Sequence, residues 1–550
     1  MACLRATTPI VVEYIRLLMA LLPSLWLISM PLWAQQKGPA GRLLYEDSGQ
    51  EVARPYVREG LLWLHHMEYD AARKAFEMAS LLDPGNITVY WGEGMLHFRP
   101  LWSQFDPARG RAVLYKLGVK PAARMDRAAT GLERGFVAGL EALYGDDASE
   151  GNGIDRFIEV TDSLIRGPDY QEELAVMHAA ALVGRRQADD NARALVLLER
   201  VLSENPGHPG ALNVYVYACA SPALAWRAVE AAGRLESLSA GSPKSQLHPA
   251  YIYLAQGRWA EAGVLCRRTW DGAGAGIRTV PGGPDNRFYH SLRLLQYSLL
   301  QQGLIQEADG LLREMLRNLQ SSGGERYRFH LALMKAAQVA ESGLWTDQIA
   351  IREVPVQGLG ILVRNAELFV QGMHALAMGD LQRTEWLILQ MTDQRTMAVN
   401  GLQPAADFYG SSPEPAAYFS AEQMLIASEV LELQLKGWKA LKEGSREEGL
   451  GYMRSAVQLY APLNLYLGLP AIVQCAHEAY ALMLMETGNP SEALTQYELS
   501  LEKMPNRSSA LHGKYRALLA SGKTDQAAQV RKLLQSNWSR ADQMMLDKLK

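Results

Sequence analysis

A unit of about 34 residues, repeated along the chain, limits its folds more than any other feature, because such a period makes each copy one small supersecondary element stacked on the next. The clearest copy runs from Ala53 to Asn86. Within it Gly60 falls where two helices must come close, Tyr69 and Ala72 open the second helix, Phe76 and Ala79 follow on the same helical face, and Pro84 ends the unit. A second copy spans Gln474 to Asn506 and keeps the phase, with Ala481, Gly488, Ala493, Tyr497 and Pro505 at matching intervals. Weaker copies share one turn, Gly-x-x-x-x-Ala, at Gly257 to Ala262, Gly303 to Ala308 and Gly522 to Ala527, and the glycines Gly372 with Gly379 and Gly437 with Gly444 mark two more. Glycine lets the chain reverse after a helix, and the alanine lets the next helix pack against its partner. Strand signals are poor by comparison: short runs such as Leu212 to Tyr217 suit a helix equally well.

The spacing resembles the tetratricopeptide repeat, a helix-turn-helix unit whose small positions let paired helices pack. That resemblance implies an all-α chain, a right-handed α-solenoid of about nine degenerate helix pairs. Leu61 to Asp70 with its His65-His66 pair, Tyr90 to Met95, Pro100 to Trp102, Asn205-Pro-Gly-His208-Pro-Gly-Ala211 and the terminal Ala476 to Gly513 carry a closer likeness. Together they resemble a poorly characterised family of large exported tetratricopeptide-repeat proteins. The likeness implies architecture, since that family supplies no activity to carry over. Its members carry further histidines where this sequence reads Asn213, Tyr217, Leu247 and Tyr251, so ligands of a histidine-based site would be missing here.

Breaks in the pattern set the organisation. Arg99-Pro100 and Asp106-Pro107 interrupt the helix pair after the first repeat, Asp146 to Gly153 is an acidic connection, and Gly272 to Asn286, with five glycines and two prolines, reads as a loop. Further breaks run from Ile351 to Gln357 and from Asn400 to Pro415. At the N-terminus Arg5 and Arg16 precede an apolar run from Leu17 to Ala34, broken by Pro23 and Pro31 and followed by Gln35, Gln36 and Lys37. That order is one of a cleavable export signal. Leu32 stands where cleavage favours a small residue, so an uncleaved anchor that ties the chain to a membrane is the alternative. The expected division is residues 1–34 as signal or anchor, 35–355 as an N-terminal repeat array and 356–550 as a C-terminal one, in a chain exported to the periplasm or secreted.

Composition excludes some partners. The 55 basic and 59 acidic residues leave no global basic field to attract nucleic acid. Beyond the leader only Cys219, Cys266 and Cys475 remain, too few for a disulfide framework and expected as small buried hydrophobes.

Residues with chemistry are sparse. His65, His66, His97, His208 and His248 are the densest histidines. Neighbouring histidines on a helix point about 100° apart, so His65 and His66 do not face one ion. No His-Glu-x-x-His or Cys-x-x-Cys occurs, and we expect neither a metal site nor a small-molecule cofactor. Gly272-Ala-Gly274-Ala-Gly276 lacks the strand and spacing of a phosphate loop, and Gly522-Lys523-Thr524 reads as a repeat turn. The acid pairs Glu172-Glu173 and Glu447-Glu448 read as solvated helix faces, and no serine elbow is present.

What remains is surface. In tetratricopeptide arrays the first helix of each pair lines the inner curve, and the repeat phase puts Val57, Leu61, Leu64 and His65 there, then Trp91, Met95, Phe98 and Arg99, with Trp102 beside them. These side chains either pack between units or line a groove whose aromatic residues lose water to a partner. They lack the basic and amide pairs that grip a terminal carboxylate. The expected function is a non-catalytic scaffold that holds a protein or peptide in its concavity outside the cytoplasm, through Val57, Leu61, His65, Trp91, Met95, Phe98, Arg99 and Trp102. The alternative is an enzyme whose site lies at the interruptions, near His208 and the 272–286 loop.

Overall fold

The computed structural model describes residues 39–44, 48–146, 152–167, 171–272, 286–322, 324–400, 420–463 and 473–549. The expected leader, and most of the loops expected at 272–286 and 400–415, lie outside the described residues. Within them the chain is an all-α solenoid of tetratricopeptide-like hairpins. Arg54–His65 pairs with Tyr69–Leu82, Gly131–Tyr144 with Gly153–Arg166, Glu172–Arg185 with Ala188–Glu204, Pro209–Ala218 with Val229–Leu238, and Pro243–Ala255 with Trp259–Gly272. Then come Asn286–Gln301 with Ile305–Ser322, Ile361–Ala377 with Leu381–Asn400, Ala421–Lys442 with Arg446–Tyr460, Ala476–Glu486 with Pro490–Lys503, and Ser508–Ala520 with Thr524–Asn537. No helix among the described residues is long and apolar enough to cross a membrane.

The repeat positions do what their spacing implies. The turn glycines Gly257, Gly303, Gly379, Gly444, Gly488 and Gly522 all take positive φ, between 68° and 86°, which favours a residue without Cβ. In the first hairpin the Phe76 ring lies between two glycines: a Cβ on Gly60 would come within 2.5 Å of it and one on Gly92 within 2.2 Å. Tyr497 and Gly513 repeat the second of these contacts in the same register near the C-terminus, where an added Cβ would meet the ring at 2.1 Å. Large ring against bare backbone is how successive hairpins approach closely.

The expected interruption after the first repeat is a small ribbon. Phe98 pairs with Phe105 and Arg99 with Gln104 around a 3-10 turn at Pro100–Trp102. Asp106 then caps the next helix, Pro107–Lys116, by accepting the Arg109 N–H at 3.0 Å. Near residue 355 the chain is non-helical between Ile351 and Ile361, yet the Lys335 ammonium reaches across to Glu367 Oε1 at 2.6 Å, and one apolar core runs on from Leu43 to Leu549. Cys219, Cys266 and Cys475 are free and buried, and burial pushes the Cys219 thiol up to about 12.

First and second helices differ in kind. The second helices are amphipathic; Ala188–Glu204 buries Asp190, Ala194, Leu195, Leu198 and Val201, one stripe of its surface. Some first helices are buried nearly all round, as in Pro209–Ala218, where every residue is buried, and in Glu172–Arg185, buried from Glu172 to Val183, whereas Ser508–Ala520 leaves residues such as Arg516 and Leu519 exposed. Around these helices the inner curve is filled rather than open. What fills it is the chain itself, because the coil closes on its own earlier turns. Asn506 Nδ2 donates to Gly257 O at 2.8 Å, Trp259 Nε1 to Asn506 O at 2.9 Å, Ser508 N to Gln301 Oε1 at 2.9 Å and Asp542 N to Gly303 O at 3.0 Å.

Candidate functional site

Two places concentrate polar chemistry inside this frame. The first is a buried centre where three hairpins meet. His65 is the last residue of the Arg54–His65 helix, Glu173 lies in the first turn of Glu172–Arg185, and His208 caps Pro209–Ala218. The local sequence Asn205-Pro-Gly-His208-Pro explains the last placement: Pro209 takes the first helical position, where no N–H is needed, and His208 Nδ1 accepts the Ala211 N–H at 3.2 Å. Gly210 lets that helix come in, since a Cβ there would lie 2.1 Å from His65 Nδ1.

Glu173 sits between the two imidazoles. Its Oε2 is 2.6 Å from His65 Nε2 and its Oε1 is 3.4 Å from His208 Nε2, with the two rings 4.8 Å apart and edge-to-face at 73°. All three residues are buried. Burial alone would push the Glu173 carboxyl up; the imidazoles of His65 and His208 outweigh it and hold the group well below the usual carboxylate range. Their three ligand atoms lie within 4.8 Å of one another, so His65, Glu173 and His208 could hold one metal ion.

Beside this centre runs a second polar chain. Asn213 Nδ2 donates to the His65 carbonyl at 3.0 Å and to Ser245 Oγ at 3.0 Å, and Ser245 Oγ lies 3.1 Å from His66 Nδ1. His66 Nε2 is 2.7 Å from the Ala40 carbonyl, which can only accept, so Nε2 carries the proton and Nδ1 accepts from Ser245. His65 and His66 thus turn to different partners, as their helical spacing required.

Of the residues assigned to a groove, His65, Phe98 and Arg99 line one cavity of about 40 Å³ together with Met177 and Val214. The others are inside the core. Val57, Leu61 and Met95 are fully buried, Trp91 stacks on Phe136 at 4.6 Å, Phe98 also packs edge-on against Phe157, and Trp102 meets Tyr217 and His248 at about 6 Å. Arg99, half-buried, lies over the Tyr69 ring at 4.0 Å and donates to the Leu96 carbonyl. Their contacts are the packing between units that the repeat phase allowed for. One expectation is corrected. Glu447 and Glu448 are solvated, but Glu172 and Glu173 are buried, because the His208 loop returns over the start of their helix and Asn205 Nδ2 donates to Glu172 Oε2 at 2.9 Å. Sequence reasoning missed Glu173 and Asn213; the available signal was the apolar stretch after Glu173, too uniform for a helix with a solvated face.

The second place is the seam where the last hairpins meet the middle of the chain. Arg507, nearly inaccessible, pairs with Glu478 at 2.5 Å and with Glu341 at 2.7 Å, and Ser509 Oγ donates to Glu478 Oε2 at 2.8 Å. Above this network opens a cleft of about 210 Å³ lined by Tyr497, Trp538 and Leu482 and, among its charged side chains, Arg516 and Lys548. Arg516 and Lys548 are exposed.

No family model and no curated protein matches the sequence. Among solved structures, the Cut9–Hcn1 hetero-tetramer of APC/C is similar at a TM-score of 0.33 and 10% identity, covering 90% of this chain and 75% of that one. The TPR domain of P58(IPK) is similar at a TM-score of 0.22 and 13% identity, covering 86% of this chain and 99% of that one.

Proposed function

We propose that this chain is a non-catalytic protein-interaction scaffold, working outside the cytoplasm, whose docking place is the seam cleft rather than the filled inner curve. The observation that carries this reading is the cleft itself: about 210 Å³ of open space framed by packed helices, apolar at Tyr497 and Trp538, with the exposed cations Arg516 and Lys548 lining it. Such a place suits an acidic peptide segment of a partner protein, with an apolar side chain against the rings and carboxylates at the cations. Location outside the cytoplasm rests on the Arg5 to Lys37 leader pattern.

Capture from envelope extracts tests the reading. The wild-type chain should enrich a protein partner, and the double variant R516E/K548E should lose it while its thermal unfolding stays within a few degrees of wild type. Equal capture by both proteins, or no enrichment by either, overturns the cleft assignment. An enzymatic reading has one observation in its favour, the burial of His208 against Glu173 at an interruption of the solenoid. The 272–286 loop on which it also depended lies mostly outside the described residues.

A further inference from the structure

The buried His65, Glu173 and His208 cluster takes no part in the docking reading above. We propose that it is a binding site for one divalent transition-metal ion, zinc before others. Glu173 Oε1 and His208 Nε2, both buried, meet only in a long contact of 3.4 Å, and with His65 the three ligand atoms lie within 4.8 Å of one another. Burying a carboxylate is costly, and a cation between that oxygen and the imidazole would hold both more closely than the long contact does. The donors are two imidazole nitrogens and one carboxylate oxygen, a set that suits zinc and leaves a fourth position for water.

The ligands come from three separate hairpins and are held from behind. Asn213 fixes the His65 backbone through the carbonyl bond at 3.0 Å, and the Gly210 backbone packs against the His65 ring. His65 also lines the cavity of about 40 Å³, and a water needs roughly 10–15 Å³. Arg99, the cation nearest that cavity wall, is turned to the Tyr69 ring and the Leu96 carbonyl.

Proton placement gives the site a recognisable signature. His208 Nδ1 now accepts from Ala211 N–H, so the neutral ring carries its proton on Nε2. A metal on Nε2 needs that lone pair; the ring proton then moves to Nδ1 and the Ala211 bond is given up. Metal binding should therefore speed hydrogen exchange at the Ala211 amide even as it stabilises the protein as a whole. Affinity should also weaken as the pH is lowered, since protons compete for the same atoms.

The test uses the full chain purified without a polyhistidine tag, stripped with chelator and titrated with Zn²⁺ alone and with Co²⁺ alone. One equivalent should bind, raise the unfolding temperature and give the visible spectrum of low-coordinate cobalt. E173Q and H208Q should each weaken binding at least about a hundredfold, since loss of a ligand costs more than loss of the groups that orient it, while the distant H512Q leaves it unchanged. If either variant fails to fold, X-ray absorption of the zinc-loaded wild type decides: two imidazoles per zinc support the site. No stoichiometric binding, undiminished binding by folded E173Q and H208Q, or any other number of imidazoles overturns it.

Discussion

Glycine positions set the tightest limits at the residue scale, and Gly92 shows how opposing effects are weighed. Helix propensity alone would favour alanine there by about 1 kcal/mol. The new methyl, however, would press on Phe76, which Gly60 already confines from the other side. Overpacking of a confined ring costs about 1–3 kcal/mol, so G92A should lower stability in urea unfolding by up to about 2 kcal/mol net. In a Phe76→Leu background the same substitution should cost less or turn neutral, because the obstacle has been trimmed; an equal cost in both backgrounds would refute the contact. Gly60 and Phe76 were legible in the sequence, since their roles follow from local spacing. Glu173 was not. Two acids in the first turn of a helix are ordinary where the helix dipole meets water, and nothing local announces that a loop 35 residues downstream, at His208, will cover them.

At the scale of the element, the turn glycines separate local from distant demands. Gly488 and Gly257 both have positive φ, at 82° and 68°, but a Cβ on Gly488 would meet open space, whereas one on Gly257 would lie 2.1 Å from the Pro505 carbonyl. G488A should therefore cost only the left-handed backbone penalty, about 1–2 kcal/mol. G257A should cost clearly more, because it also pries at the seam; denaturant midpoints of the two variants, compared with wild type, check the order. Hairpins and their turns were readable because each is specified within its own unit. The all-round burial of helices such as Pro209–Ala218 was readable in part, from apolar runs such as Leu212 to Tyr217, but only the tertiary structure says what covers them. Repeat phase alone left groove and packing as alternatives for Val57, Trp91 and Met95.

For the whole molecule, buried histidines make stability depend on acidity. Burial lowers His178 and His512 from 6.5 to about 4 and puts His290 well below its ordinary value. An unfolded chain takes up protons at these positions near pH 6.5, whereas the folded chain refuses them at His178 and His512 until about pH 4 and resists them at His290 as well. Folded pKa values below unfolded ones mean stability that is complete above the unfolded value and is lost as the pH falls through this interval. The unfolding temperature should therefore drop between about pH 6.5 and 4, with His178, fully packed against Thr161, contributing at most about 3 kcal/mol. H178Q should flatten that slope; an unchanged slope would refute the assignment.

The seam was the least legible feature of all, since Gly257 meets Asn506 only through the accumulated twist of every hairpin between them. Its closing bonds join residues 207 to 249 positions apart. During synthesis at about 5–20 residues per second, Gly257 and Gln301 wait on the order of ten to fifty seconds before Asn506 and Ser508 exist to cover them. For that interval a half-built coil presents apolar helices with no lid. The chain's greatest exposure to misassembly thus falls late in its making, when nearly everything but the clasp is already in place.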